Sequence, residues 1–374
     1  MMDPTVYKIK ELNIDLIRPH TADFQDPESY GSKIVVIGKP GCFTAGTQIL
    51  MFDGTIKNVE AVQVEDRIMG DDSTVRNVIE LCHNRDEMFK IVPKSGQSYT
   101  VNKQHKLVLA SNSSKNDLTE ITVENYLKET QDFKSKMKIF RTGVEFASTN
   151  LPLDPYDFGI YLTNDNTKSS IILKNCNLEN NKDIPYDFKV NSQENRLFLL
   201  AGILDSLSDT VFNDSYYSFK SKNKVLFDYF VYLSRSLGLS VDINYIDEQY
   251  LCKLAGNIQD IPSRKFLLYR EYPYESNDDH LFSSFEVEPV GEGEYFGFTL
   301  DGNHRFLLGS FDVVRNTGKS TLIASILYAK KHIFPVAIAF SGTEDSNGFY
   351  RKILPSTFVF NEYDEENICI FCFL

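Results

Sequence analysis

The chain lacks several features that would narrow its function at once. No apolar run approaches the roughly 20 residues needed to span a bilayer, so no membrane partner is expected. The stretch MMDPTVYKIKELNID at the amino terminus is charged and has no apolar core, so no secretory signal is expected either. Six cysteines, at positions 42, 82, 176, 252, 369 and 372, show no ligand or disulfide spacing. That pattern suits free thiols in a reducing compartment, and a cytoplasmic location follows. The terminal CIFC lies inside the apolar run ICIFCFL and reads as ordinary apolar sequence. Positive charge is short as well: 39 Lys and Arg against 52 Asp and Glu leave a net charge of −13, with no global field for nucleic acid.

What is present begins with half of a motif. At 374 residues the chain can hold two or three domains, each with its own core. A β-branched run, KIVVI, enters GKPG, as a strand enters a phosphate-binding loop. Such a loop needs G-x-x-x-x-G-K-[ST], so that backbone N–H groups cradle phosphates and a lysine reaches them. Here the glycine turn stops at Gly41 and Cys42 follows. The other half appears far downstream in RNTGKSTLIASILYAKK. Joining Gly41 to Thr317 gives VIGKPGTGKSTLIASILYAKK, which places Gly38, Lys39, Pro40, Gly41, Thr317, Gly318, Lys319 and Ser320 in one loop before an amphipathic helix.

The piece between begins with Cys42 and ends with Asn316 before Thr317. Self-excision requires those residue types. A thiol at the upstream junction can attack the preceding carbonyl and turn an amide into a thioester. A hydroxyl beyond the downstream junction can take that acyl group, and an asparagine beside it can cyclise and release the chain. Proximity replaces an external reagent at each step.

CFTAGTQILMFDGTIKNVEAVQVEDRIMG resembles the amino-terminal block of an intein, notably of the yeast vacuolar-ATPase type. GQSYTVNKQHKLVLA is similar to the second splicing block, and YFGFTLDGNHRFLLGSFDVVRNT to the two carboxy-terminal blocks. The resemblance implies a mainly β HINT (hedgehog/intein) splicing domain, with Cys42 and Asn316 brought together on adjacent strands. Read from the residues, TQILMF and TIKNV flank Asp53-Gly54, a hairpin signal, and SYTV, KLVLA, EYFGFTL and HRFLLGSF have strand length and pattern.

The resemblance also implies roles. Cys42 is the first nucleophile. His105 hydrogen-bonds the Gly41–Cys42 peptide and protonates the leaving amine. Asn102, where the yeast-type block has asparagine, polarises the scissile carbonyl. Thr317 accepts the acyl group and Asn316 cyclises, and the splicing steps need no cofactor. Two positions depart from the family. Arg315 stands where histidine usually precedes the terminal asparagine, and arginine cannot shuttle a proton near neutral pH. His304, with Asp301 nearby, is the expected substitute. Gly297 stands where many inteins place an aspartate.

LFLLAGILDSLSD resembles the LAGLIDADG helix of homing endonucleases, and VYLSRSLGLSV the region after it. In that family two such helices pack together and the acid ending each holds a divalent metal, here Mg²⁺ at Asp205. The candidate for the first helix is DFGIYLTNDN, where the acid's position falls on Asn164 and Asp165 is one step out of register. A one-residue slip rotates a helical group by about 100°. Too few residues separate Asn164 from Asp205 for a full αββαββα repeat, and residues 157–290 hold 13 Lys and Arg against 20 Asp and Glu. Lys265 matches a lysine the family uses near the cut. A degenerate, inserted α+β LAGLIDADG-like domain is expected.

The joined flanks resemble the amino-terminal part of the DNA-packaging ATPase of nucleocytoplasmic large DNA viruses. FPVAIAF supplies a second strand for a partial α/β P-loop unit, which would use ATP and Mg²⁺ after splicing. No later apolar strand ends in an acidic pair to hold that Mg²⁺. The expected organisation is a first flank at 1–41 and a splicing domain at 42–150 and 286–316. The endonuclease-like insertion takes 151–285, and a second flank 317–374. The flanks are the first partners. DNA enters through the endonuclease or the motor, and the spliced host would be an oligomer in an infected cell, viral factory or virion. Three readings compete: a self-splicing precursor, a nucleotide-binding motor protein carrying an inert insertion, and an active homing endonuclease.

Overall fold

The Asp53-Gly54 signal folds as read. Strands β1 (Gln48–Leu50) and β2 (Ile56–Asn58) pair antiparallel, Leu50 opposite Ile56. The Asp53 carboxylate accepts the Thr55 N–H at 2.9 Å, and Gly54 takes φ 80°, where a side chain would be strained. This computed structural model describes residues 41–111, 117–163, 185–207, 211–213, 216–246, 248–265, 278–316, 339–340, 350–352 and 354–360. Gly38, Lys39, Pro40, Thr317, Gly318, Lys319, Ser320, Asn164 and Asp165 therefore lie outside the described residues.

After β3 (Arg67–Met69) the chain enters a 19-residue strand, β4 (Val75–Pro93). It pairs along its length with the 16-residue β14 (Phe285–Leu300), from Phe285 opposite Pro93 to Leu300 opposite Val78. Register shifts at Pro289/Gly291 and Thr299/Leu300 mark bulges in this ribbon. Strand β5 (Tyr99–Asn102) pairs with β4, β6 (Lys106–Ser111) pairs with β7 (Leu118–Thr122), β8 (Met137–Phe140) and the last strand of the unit, and β8 pairs with the short β13 (Phe282–Ser283). That last strand, β16 (Val313–Arg315), also pairs with β15 (Arg305–Leu307). Inward residues of these sheets, including Phe43, Ile49, Val101, Leu107, Phe298, Phe306 and Val314, form one buried core. Phe43 bridges both Phe296 and Val101, so residue 42 enters directly over the ribbon.

A second core lies between residues 156 and 261. Helix α1 (Val123–Lys128) and helix α2 (Gln131–Lys136) belong to the first unit; helix α3 (Pro155–Thr163) begins the second. It packs on α4 (Gln193–Ser206), the AGILD helix, through two glycines. A Cβ on Gly202 would stand 2.1 Å from the Tyr156 carbonyl oxygen, and one on Gly159 would stand 2.4 Å from that of Leu199. The helix axes approach this closely because both side chains are absent. Then follow β9 (Val211–Asn213), β10 (Tyr216–Ser221), α5 (Lys224–Ser236), β11 (Ser240–Ile246) and β12 (Gln249–Ala255), with sheet order β11-β12-β10-β9. The run from α4 to β12 is thus one αββαββ unit.

Arg196 ties this unit together. Fully buried on α4, it donates to the carbonyls of Asn191 (2.9 Å), Ser236 (2.9 Å) and Val144 (2.6 Å) and to the Ser236 hydroxyl (2.7 Å). Burial lowers its pKa to about 10, so it is still cationic at neutral pH. Arg196→Ala would take this donor from the Asn191 and Val144 carbonyls and the Ser236 hydroxyl, while the Ser236 carbonyl keeps the Val144 N–H, and such losses cost about 3–5 kcal/mol in total. A urea midpoint unchanged from a Cys42→Ala parent chain would contradict this.

Candidate active site

The upstream junction is a buried, tightly packed site. Cys42 is 0% exposed, as are Asn102 and His105. The Asn102 side-chain oxygen accepts the Cys42 N–H at 2.9 Å, and the Asn102 N–H donates to the Cys42 carbonyl at 3.1 Å. The sequence led us to expect Asn102 to polarise the scissile carbonyl; the contact seen here is on the nitrogen side of that peptide. The Asn102 amide in turn donates to the Asp86 carboxylate at 3.5 Å. Asp86 is itself buried and was not singled out from sequence.

His105 begins where β5 ends. Its N–H donates to the Asn102 carbonyl at 3.0 Å, which holds the turn into β6. Its ring lies edge-on to Phe43, with centroids 4.7 Å apart. Among the described residues neither ring nitrogen has a hydrogen-bond partner, so the bond expected from the ring to the Gly41–Cys42 peptide is not among the contacts seen. Burial pushes its pKa down to about 3, so the imidazole is neutral in the resting site. Gly41 sits against it: a Cβ there would be 2.6 Å from the His105 Cα. Only a residue without a side chain brings the upstream flank this close to the turn.

At the downstream junction Asn316 is 1% exposed, and its N–H donates to the His304 carbonyl at 3.0 Å. His304 occupies the turn between β14 and β15 at φ 64°, in the left-handed region. Its Nδ1 donates to the Leu300 carbonyl at 2.6 Å, which leaves the lone pair on Nε2. Asp301 lies beside His304, its carbonyl accepting the His304 N–H at 3.4 Å, while its carboxylate accepts the Asn77 N–H at 2.9 Å and the Asn77 amide at 2.8 Å. Arg315 forms an ion pair with Glu120 of β7, so its guanidinium serves the sheet surface.

The two junctions do not lie on adjacent strands. Residue 43 bridges Val101 at β5, and Arg315 lies opposite Lys106 at the start of β6. The β5–β6 turn, with His105 in it, therefore stands between them. Gly297 faces the upstream thiol: a Cβ there would be 2.4 Å from the Cys42 sulfur. Cys82, which no sequence signal marked, places its sulfur 3.1 Å from that of Cys42.

The second unit presents Asp205 at the end of α4. Its carboxylate accepts from the Tyr156 hydroxyl (3.0 Å), the Ser263 hydroxyl (2.5 Å) and the backbone N–H groups of Arg264 (2.6 Å) and Lys265 (3.2 Å). The Lys265 ammonium donates to the Leu207 carbonyl at 3.4 Å. No group of three or more His, Cys, Asp or Glu gathers for a metal among the described residues. A carboxylate carrying four donors does not fit a Mg²⁺ ligand, which needs its lone pairs free in an octahedral oxygen shell.

A buried thiol, asparagine and histidine at one junction of a β fold, with a terminal asparagine at the other, define a HINT-type protein of the intein class. Its general chemistry is protein splicing. Residues 42–315 match the family described as Hom_end-associated Hint, and the chain belongs to that family. Curated relatives are matched over shorter stretches. The chain is 58% identical over 90 residues to uncharacterized protein 075L of Invertebrate iridescent virus 6, covering 24% of the chain and 33% of that protein. It is 48% identical over 65 residues to uncharacterized protein 088R of Invertebrate iridescent virus 3 (17% and 23%). It is 38% identical over 79 residues to the catalytic polypeptide of the V-type proton ATPase of Candida tropicalis (18% and 7%). The chain thus spans a third or less of each of these relatives. Among solved structures, the gp41-1 intein aligns over 74% of the chain and 98% of its own length, at 10% identity and a TM-score of 0.29.

Proposed function

We propose that residues 42–316 excise themselves and join residue 41 to Thr317. The observation that carries this reading is the buried contact between the Asn102 side chain and the Cys42 N–H, at 2.9 Å, beside the Cys42 thiol. Cys42 Sγ attacks the Gly41 carbonyl carbon, the C–N bond breaks, and the freed amine takes a proton. Asn102 steadies that nitrogen while it leaves. Neutral His105 acts as a base or hydrogen-bonding group in the resting site and becomes an acid only as charge develops. The Thr317 hydroxyl then takes the acyl group. Asn316 cyclises on its own backbone and releases the piece, with His304 moving the proton, and the freed Thr317 amine takes the acyl group from its own hydroxyl to form the peptide.

The test is mass spectrometry of the expressed chain. Splicing yields a 275-residue product and a 99-residue product. A chain that stays at its full mass would reject the reading. The 99-residue product would carry the completed loop from Gly38 to Ser320, set to bind ATP with Mg²⁺. We infer a viral packaging ATPase as host, from the flank motif and from relatives in iridescent viruses.

The inserted unit is read as a degenerate LAGLIDADG domain, because Asp205 serves as a hydrogen-bond hub. The excised piece is expected to leave DNA bearing the empty insertion site uncut in Mg²⁺. Cleavage that disappears in Asp205→Asn would overturn this, including the case where two copies each supply one Asp205.

A further inference from the structure

Strand register brings two thiols together over one glycine. Cys82 lies opposite Gly297 in the long ribbon, and Phe43 bridges Phe296 next to that glycine. The ideal Cβ position of Gly297 lies 2.4 Å from the Cys42 sulfur and 3.2 Å from that of Cys82. The two sulfurs, 3.1 Å apart, therefore share the space a side chain would fill. Met88 and Tyr295 pack around the pair. Cys42 is fully buried while Cys82 is half-buried, so an oxidant reaches Cys82 first.

We propose that Cys42 and Cys82 form an oxidisable dithiol that masks the splicing nucleophile. This rests on Cys42 being that nucleophile. Hydrogen peroxide oxidises the Cys82 thiol to a sulfenic acid and is reduced to water. The Cys42 sulfur attacks the sulfenic sulfur, the S–O bond breaks, and a second water leaves with the Cys42 proton. Two thiols have then given two electrons to one peroxide. Closing the contact to a bond of about 2.05 Å needs a small approach of side chains already face to face. Once closed, Cys42 has no thiol with which to attack Gly41. A dithiol or phosphine reductant returns both thiols and releases the block. In a reducing compartment the pair stays open and splicing proceeds; under peroxide stress the precursor is held intact.

The test uses the full chain as Asn316→Ala, which stops release but leaves the upstream step. Reduced precursor is treated with one equivalent of hydrogen peroxide, then assayed twice. Peptide mass mapping should find a Cys42–Cys82 linked pair, lighter by two hydrogens. Hydroxylamine, which cuts thioesters without reducing disulfides, should cleave at Gly41–Cys42 at least about tenfold more slowly than in the reduced chain. A phosphine should restore cleavage. In Cys82→Ala and Cys82→Ser, peroxide should produce no phosphine-reversible block. A map showing Cys42 unlinked after oxidation, or Cys82 linked to another cysteine, would overturn the proposal. So would a reversible block that survives in both variants. If the reduced chain resists hydroxylamine altogether, the splicing role of Cys42 fails, while the map still decides whether the pair forms.

Discussion

His105→Ala is expected to slow upstream cleavage by about 10²–10⁴-fold, the range a positioned acid–base group contributes. The ring is fully buried, stands beside Phe43 and Gly41, and among the described residues neither nitrogen has a hydrogen-bond partner. Its capacity is therefore unspent on structure and available to the reacting peptide. The same burial has a thermodynamic signature. The ordinary histidine value is 6.5 and the folded value is about 3. Above pH 6.5 both states hold a neutral ring and this group has no effect. As pH falls below 6.5 the unfolded chain takes up a proton that the folded chain refuses. Stability contributed by the neutral ring is then lost at about 1.4 kcal/mol per pH unit until pH approaches 3. Urea unfolding of a Cys42→Ala chain across this window should show that slope. His105→Gln should remove that share of it. Equal slopes in the two chains would mean the ring is hydrated, and unchanged hydroxylamine cleavage in His105→Ala would remove it from the upstream step.

Local chemistry was legible where it is local. Asp53-Gly54 announced a hairpin because the turn needs a carboxylate cap and a positive φ, and both belong to adjacent residues. SYTV and KLVLA became β5 and β6 because Tyr99, Val101, Leu107 and Leu109 alternate into one core, while Val108 and Ala110 enter a second on the other face of β6. The candidate junction residues could be named from sequence because the proposed chemistry demands a thiol and an asparagine at fixed ends. The long strand β4 was not. Its middle, HNRDE, is mostly exposed, so no alternation of apolar and polar residues signals it. HRFLLGSF read as one strand, yet it stops at Leu307, because Phe311 turns the chain at φ 68°. Cys82 and Asp86 escaped notice for a related reason. Only the pairing of β4 with β14 and β5 carries them to Cys42, and register is a property of three segments rather than one.

His304→Ala is expected to slow release at Asn316–Thr317 at least about tenfold, or about 1.4 kcal/mol, while thioester formation at Cys42 persists. Cyclisation needs the Asn316 side-chain amide made nucleophilic and the leaving backbone nitrogen protonated. The residue just before Asn316 cannot cycle a proton: Arg315 is an arginine, and Glu120 holds its guanidinium. His304 meets three conditions that a proton carrier at this junction requires. Its carbonyl holds the Asn316 N–H at 3.0 Å, so the two residues are fixed to each other. Its Nδ1–H is spent on Leu300, which fixes the tautomer and puts the ring lone pair on Nε2. The strained φ of 64° keeps it in the turn and out of the flanking strands. Because the backbone contact to Asn316 survives substitution, His304→Ala removes the ring while the junction stays in place. His304→Asn, which also tolerates the left-handed conformation, should be as slow, and that separates lost proton transfer from a damaged turn. Arg315→His should hold or raise the release rate by supplying a second imidazole. Gel separation of upstream and downstream products over time reads both steps in one experiment. Downstream release at the parent rate in both His304 variants would show that the ring only packs in its turn and that another group moves the proton.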